Sequence, residues 1–154
     1  MKKLIVCVSK YYGNTMKIAQ VIASTLEAEV KKPNEISDLS DYSLIGFGSG
    51  IYFGKHDSSL FELINKLPKN EIKTFIFSTR GRNVLFEKTY HKALREKLTQ
   101  KNYTVIGEFS CRAFSDYYKI FRYFGGVNKG HPNKQDLEKA KNFSLKLLKI
   151  QGVQ

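Results

Sequence analysis

Tryptophan is absent, cysteine occurs twice and proline three times in 154 residues. Two cysteines, Cys7 and Cys111, cannot build a disulfide framework, and their separation fits no zinc or CxxC redox spacing. They are expected as reduced, mostly buried thiols. With so little proline and 42% hydrophobic residues, collagen-like and disordered chains are excluded. Long apolar runs are missing too. Leu4 to Val8 is typical, whereas a membrane span needs about 20 residues. The same run follows Met1-Lys2-Lys3 but is too short for a secretory leader, which gives a cytoplasmic expectation. Residues 1–154 are expected to form a single domain.

Acidic residues are also scarce. Lys+Arg 26 against Asp+Glu 14 gives +12. Residues 1–77 carry 10 basic and 8 acidic side chains, and residues 78–154 carry 16 and 6, so nearly all the surplus lies in the second half. A one-sided positive surface attracts an acidic partner protein, an anionic membrane surface or nucleic acid. Charge that merely keeps the chain soluble is the plain alternative.

Several reaction classes lack their motifs. There is no G-x-x-x-x-G-K-[ST], and the first turn is not G-x-G-x-x-G, so nucleotide triphosphate and dinucleotide sites are not expected. Gly48-Ser49-Gly50 only echoes the latter. A phosphorylatable receiver would want acids where Ser9 and Ser49 stand, and no G-x-S-x-G elbow is present. His56, His91 and His131 are scattered, so neither a metal centre nor a catalytic residue is expected.

What is present is alternation. Apolar runs Lys2–Val8, Glu29–Lys31, Ser43–Gly48, Ile72–Phe77 and Tyr103–Ser110 read as strands. Between them lie helical stripes: Ile18, Val21, Ile22 and Leu26 on a helix from about Thr15 to Ala28, capped by Asn14 or Thr15; Leu60, Leu63, Ile64 and Leu67 on one that starts near Asp57 or Ser58; Phe86, Tyr90, Ala93, Leu94 and Leu98 on a third. A last helix begins after Pro132 with an Asn133/Asp136 capping pattern. Five strands alternating with helices predict a three-layer α/β/α domain on a parallel sheet, with right-handed crossovers. In such folds ligands sit beyond the carboxyl ends of the strands.

The loops there carry the chemistry. Ser9-Lys10-Tyr11-Tyr12-Gly13-Asn14-Thr15 runs into a helix N-terminus, where free amides and the helix dipole favour an anion. It suits a phosphate monoester; an ordinary capped turn is the alternative. Ser49-Gly50-Ile51-Tyr52-Phe53, with Gly48 and Gly54 beside it, sets aromatics among glycines, suited to a flat ligand or to core packing. Ser78-Thr79-Arg80-Gly81, followed by Arg82 and Asn83, is polar.

These three loops, together with Gly130-His131-Pro132-Asn133, resemble the flavodoxin-like family over essentially the whole chain. The resemblance implies strand order 2-1-3-4-5, no long insertion in the fifth strand, and flavin mononucleotide (FMN) as cofactor. It assigns the phosphate to Ser9, Lys10, Tyr11, Tyr12, Gly13, Asn14 and Thr15. Ser49, Gly50, Ile51, Tyr52 and Phe53 would line one side of the flavin ring, Tyr52 being the expected stacking side chain. Ser78, Thr79, Arg80 and Gly81 would line the other side and meet the pyrimidine edge. Such a protein carries electrons to or from a partner, and a chain this basic would suit an acidic one.

Three features depart from the family pattern. Ser9 to Thr15 spans one step more than usual, the charge is opposite to that of acidic electron carriers, and Arg80 and Arg82 replace small or acidic residues. Lys10, Lys55, Arg80 and Arg82 near a flavin would stabilise its reduced, anionic form and raise its two-electron potential.

The segment from about 111 to 132 holds an aromatic and basic core, Tyr117 to Phe124. The plain expectation is a loop packed on its own domain with charges outward. It could instead fold over the ligand as a lid and docking surface, touch an anionic membrane or a quinone-like molecule, or stack on single-stranded nucleic acid. This segment and the Gly48–Gly54 loop followed by His56 also look like the flavodoxin-type protoporphyrinogen oxidases, which carry a longer insertion here. Two other functions therefore stand beside the electron carrier: an FMN-dependent oxidoreductase acting on a porphyrinogen or quinone, and a flavin-less module binding an acidic partner.

Overall fold

The computed structural model describes residues 1–81, 87–116 and 122–152. The expectations placed on Arg82, Asn83, Phe86 and Tyr117 to Phe121 lie outside the described residues.

Five strands form one parallel sheet: β1 (Lys2–Val8), β2 (Glu29–Lys31), β3 (Tyr42–Gly50), β4 (Lys73–Arg80) and β5 (Thr104–Arg112), in the spatial order β2-β1-β3-β4-β5. Among the described residues four helices flank it: α1 (Asn14–Leu26), α2 (Ser58–Lys66), α3 (Glu87–Gln100) and α4 (Lys134–Ile150). Strand alternation sends side chains to two separate cores. Leu4, Val6, Ile45, Phe47 and Ile76 pack with Leu60, Ile64, Leu94 and Leu98 beneath α2 and α3. Ile5, Cys7, Leu44, Phe75 and Phe77 pack with Ile18, Ile22, Ala140 and Leu147 beneath α1 and α4. Both cysteines are buried thiols, and burial pushes the Cys7 thiol up to about 12. Among the described residues no helix is long and apolar enough to cross a membrane.

The strands run further than the apolar pattern predicts. β3 continues through Ser49 and Gly50, and β4 through Ser78, Thr79 and Arg80. The reason is a lateral match: Ser49, Ser78 and Ser110 stand in register on three adjacent strands. Their hydroxyls find partners inside the protein, so polar residues that read as loop are held in the ladder.

The start of α1 also differs. The cap expected from Asn14 or Thr15 is not made by either side chain. Gly13 occupies the N-cap at φ +69°, a conformation glycine adopts without strain. The Met16 amide is satisfied instead by Ser9 Oγ at 3.2 Å. The last helix starts as the sequence indicates, with Asn133 and Asp136 each accepting the other's backbone N–H.

Candidate functional site

A cavity of about 400 Å³ opens at the carboxyl ends of β1, β3 and β4. Twelve of the sixteen predicted site residues line it: Lys10, Tyr11, Tyr12, Asn14 and Thr15 from the first loop, Gly50, Ile51, Tyr52 and Phe53 from the third strand's end, and Thr79, Arg80 and Gly81 from the fourth.

The other four, Ser9, Gly13, Ser49 and Ser78, do not line it, and each has a structural reason. Ser9 Oγ is spent on the Met16 amide. Gly13 contributes conformation. Ser49 and Ser78 point to the α2/α3 side of the sheet, opposite to their cavity-lining neighbours. Ser49 Oγ donates to Gly50 O (2.7 Å), accepts the Asp57 N–H (3.0 Å) and meets His56 Nδ1 (3.0 Å). Ser78 Oγ meets His91 Nε2 (2.7 Å) and donates to Ser110 Oγ (2.8 Å).

The first and fourth loops are tied by Thr15 Oγ1 and Thr79 Oγ1, 2.7 Å apart and buried. With Met16 served by Ser9, the amides of Asn14 and Thr15 have no backbone or side-chain acceptor among the described residues. They stand at the positive end of α1 beside the cavity, the arrangement that binds an anionic oxygen.

Lys10 is not at liberty to meet that anion alone. Its Nζ lies 2.7 Å from Asp57 Oδ2 and 5.7 Å from the centre of the Tyr52 ring. Asp57 caps α2 through the Ser59 amide. Burial pushes its carboxyl up, but hydrogen bonds from Lys10 and Ser59 outweigh this and hold it below the ordinary carboxylate range.

Tyr52 and Phe53 divide the role expected of one aromatic. Tyr52 folds inward, its ring edge-on to that of Tyr11 and beneath the Lys10 ammonium. Burial pushes this phenol up to about 12. Gly50 makes the fold possible, since a Cβ there would stand 2.7 Å from the Tyr52 hydroxyl. Phe53 turns outward, 70% exposed, at φ +51°. It sits in a two-residue turn closed by Tyr52 N–H to Lys55 O (2.8 Å) and Lys55 N–H to Tyr52 O (3.1 Å). Such a turn calls for Asn or Gly where Phe53 stands. Left-handed backbone costs an L-residue about 1–2 kcal/mol, and Tyr11 at φ +63° bears the same strain.

The 111–132 segment does more than pack on its own domain. Ala113, Phe114, Ser115 and Asp116, with Arg122, form a further wall of the cavity. Asn14 Nδ2 donates to Phe114 O (3.1 Å), and Asn128 Nδ2 donates to Gly81 O (2.8 Å) and Ala113 O (3.2 Å). Gly81 is needed for this approach, because its Cβ would stand 2.6 Å from that of Ser115. The nearby Asp116 carboxylate favours the protonated Tyr12 phenol and raises it above its ordinary range. Sequence reasoning also missed Tyr90 of α3, another wall residue. Its place in an apolar helical stripe marks it for the core and gives no hint of a cavity.

Behind the floor lies a polar layer that the sequence gives as isolated histidines. His56 and His91, 4% and 2% exposed, face each other with ring centroids 5.1 Å apart. His91 Nδ1 is 3.2 Å from Glu108 Oε2, and Arg95 holds both oxygens of the same carboxylate. Burial pushes Glu108 up, yet the hydrogen bonds from His91 and Arg95 take it down to about 2. No cluster of three His, Cys, Asp or Glu that could hold a metal ion exists among the described residues.

Comparison with known proteins agrees with this architecture. A family model described as a flavodoxin domain matches residues 4–122. An uncharacterized protein of Methanocaldococcus jannaschii is 46% identical over 97% of this chain and 99% of its own. Among solved structures, a flavodoxin from the domain Archaea superposes with TM-score 0.68 at 16% identity, covering 97% of both chains. Oxidised flavodoxin 1 from Bacillus cereus gives 0.68 at 17% identity, over 96% of this chain and 98% of that one. A flavoprotein from Lactobacillus acidophilus in complex with FMN gives 0.58 at 18% identity, over 71% and 92%.

Proposed function

The chain belongs to the flavodoxin-domain family, and from that premise we propose that it binds FMN in the cavity at the strand ends and exchanges electrons with a partner protein. The observation that carries this reading is the cavity itself: about 400 Å³, with an anion-binding helix end at one side and glycine and aromatic walls at the other. That volume lies within the range of small-molecule sites, roughly 300–1,000 Å³. Gly50 and Gly81 fit the reading, since side chains there would collide with the walls they let close.

FMN, when bound, supplies the reversible uptake and release of electrons. The chain's own residues would do the rest. The Asn14 and Thr15 amides would hold the phosphate. Lys10, its charge largely balanced by Asp57, would keep the first and third loops at a fixed spacing. Gly50 to Phe53 would flank one side of the ring, and Thr79 to Gly81 the other. Tyr90 and Phe114 would exclude water from the remaining faces. Arg80, 9% exposed, would place a cation at the pyrimidine edge.

Titrating flavin-free chain with FMN tests this. The expected result is stoichiometric quenching of flavin fluorescence, with an unfolding temperature raised by about 5–10 °C at a hundredfold excess over Kd. Riboflavin, lacking the phosphate, should bind at least about tenfold more weakly. Excess FMN that gives neither quenching nor a thermal shift overturns the proposal.

A further inference from the structure

Exposed aromatic side chains are unevenly placed on this molecule. Among the described residues the large exposed aromatics are Tyr11, Tyr12, Phe53, Tyr123 and Phe124, from 50% to 85% exposed. Three of them line the cavity, and the other two directly follow Arg122, which also lines it. Scattered exposed apolar residues need no explanation, but three that line one cavity, with two more next in sequence to a lining residue, do. Tyr11 and Phe53 stand there at positive φ, where smaller residues would relieve the backbone. An aromatic kept in such a conformation beside a site points to a function that retains it.

The charge around this collar has a sign. The segments 9–15, 50–57, 79–81, 112–116 and 122–131 contain six cations and two carboxylates. Lys55, Arg112, Arg122 and Lys129 are all exposed, whereas Asp57 is buried against Lys10. The segments that border the cavity therefore combine exposed aromatics with a surplus of exposed cations.

We propose that this collar is the docking surface for an acidic protein partner, which would cover the cavity mouth. Tyr, Phe and Arg are the side chains enriched in protein–protein contacts, with charge at the rim steering encounter. A polyphosphate chain suits the surface less well, because Lys10 is already paired with Asp57 and Asp116 presents a carboxylate beside Tyr12. The purpose of docking, electron exchange, rests on the FMN reading; the contacts themselves do not.

The test is calorimetric titration of the full chain, once without flavin and once saturated with FMN. The acidic probe is a plant-type [2Fe–2S] ferredoxin, and a basic c-type cytochrome is its opposite. Ferredoxin should bind both forms of the chain with Kd of about 1–100 µM. Its affinity should weaken by about tenfold or more between about 20 and 300 mM salt. The cytochrome should not bind. Tyr123→Ser combined with Phe124→Ser, positions outside the cavity lining, should weaken ferredoxin binding by about tenfold while FMN quenching stays unchanged. Lys55→Glu with Lys129→Glu should weaken it and flatten the salt dependence. The proposal is overturned if the cytochrome binds as well as ferredoxin, if both double variants bind like the parent, or if phosphatidylserine vesicles or oligo-dT bind more tightly. FMN uptake without ferredoxin binding defeats the docking surface alone; ferredoxin binding without FMN uptake defeats only the flavin reading.

Discussion

His56 and His91 face each other inside the protein, 5.1 Å between ring centroids, in the layer directly behind the cavity floor. The two rings are served differently. His91 reaches Ser78 through one nitrogen and Glu108 through the other. His56 reaches Ser49 through Nδ1, and its buried Nε2 has no partner. Since Ser49 spends its own proton on Gly50 O, the His56 Nδ1–H donates to Ser49 and the lone pair is left on Nε2. A buried acceptor without a donor costs about 1–3 kcal/mol.

Acid should therefore find His56. Burial and the nearby His91 take it from 6.5 to about 3, with Glu108 pulling weakly the other way. The folded state thus binds its proton less readily than the unfolded chain. Stability from this group is complete above pH 6.5 and is lost as pH falls toward 3. Between pH 6.5 and about 5 the loss should approach about 2 kcal/mol. Urea titrations across that interval should show it, and His56→Gln should flatten the slope. Glu108, held down at about 2, adds a second loss only below 4.5, once its unfolded counterpart begins to protonate. A slope in His56→Gln equal to that of the parent would contradict the assignment.

Two glycines in the central strand should be intolerant of even one carbon. Gly46 and Gly48 of β3 stand opposite Phe75 and Phe77 of β4, and each ring lies flat over the glycine. A Cβ at either position would come within 2.2 Å of the ring's Cζ. Gly48→Ala should cost about 3 kcal/mol or more, since both neighbours are fixed in the core. Shortening the ring with Phe77→Leu should recover part of that loss, a coupling that a double-mutant cycle in urea would measure.

The turn at Phe53 offers the opposite outcome. Asn tolerates left-handed backbone better than Phe, so Phe53→Asn should stabilise the flavin-free chain by about 1 kcal/mol. It should also weaken attachment of the acidic probe. Stability gained together with binding lost would show that the ring is kept for contact; a variant that binds ferredoxin normally would refute this.

How legible was this in the sequence? Periodicity gives the strand order's ingredients because every apolar stripe is interrupted by a polar loop, and the Asn133/Asp136 cap is a purely local pattern. The loops bordering the cavity are visible for the same reason: glycine and hydroxyl residues collect at strand ends. What the sequence hides is pairing at a distance. Nothing local says that Ser49, Ser78 and Ser110 share a register, so two of them read as cavity residues when their hydroxyls serve the histidine layer. Nor does the spacing of His56 and His91 hint that separate elements bring the rings together. Ser9 misleads in a related way, since its hydroxyl caps the helix from outside the positions where caps are sought.

The sequence puts Lys10, Lys55 and Arg80 alike in the loops that would meet a flavin, and the structure separates them. Lys10 is paired with Asp57, so its field is largely cancelled. Lys55 is exposed, where solvent screens it. Arg80 alone among those described is both buried and in the lining. Its backbone is fixed by the Ala113 N–H to Arg80 O bond (2.8 Å), and its Nε and Nη1 are buried. A charge held this way near the ring would be worth about 1–4 kcal/mol to the reduced form. Over two electrons that corresponds to about 20–80 mV. Arg80→Gln should lower the two-electron midpoint of the FMN-loaded protein by this amount, while Lys55→Gln should move it by less than about 10 mV. Spectroelectrochemical titration of both variants decides the point. Equal shifts would mean that the net charge of the surface, rather than the buried guanidinium, governs the potential.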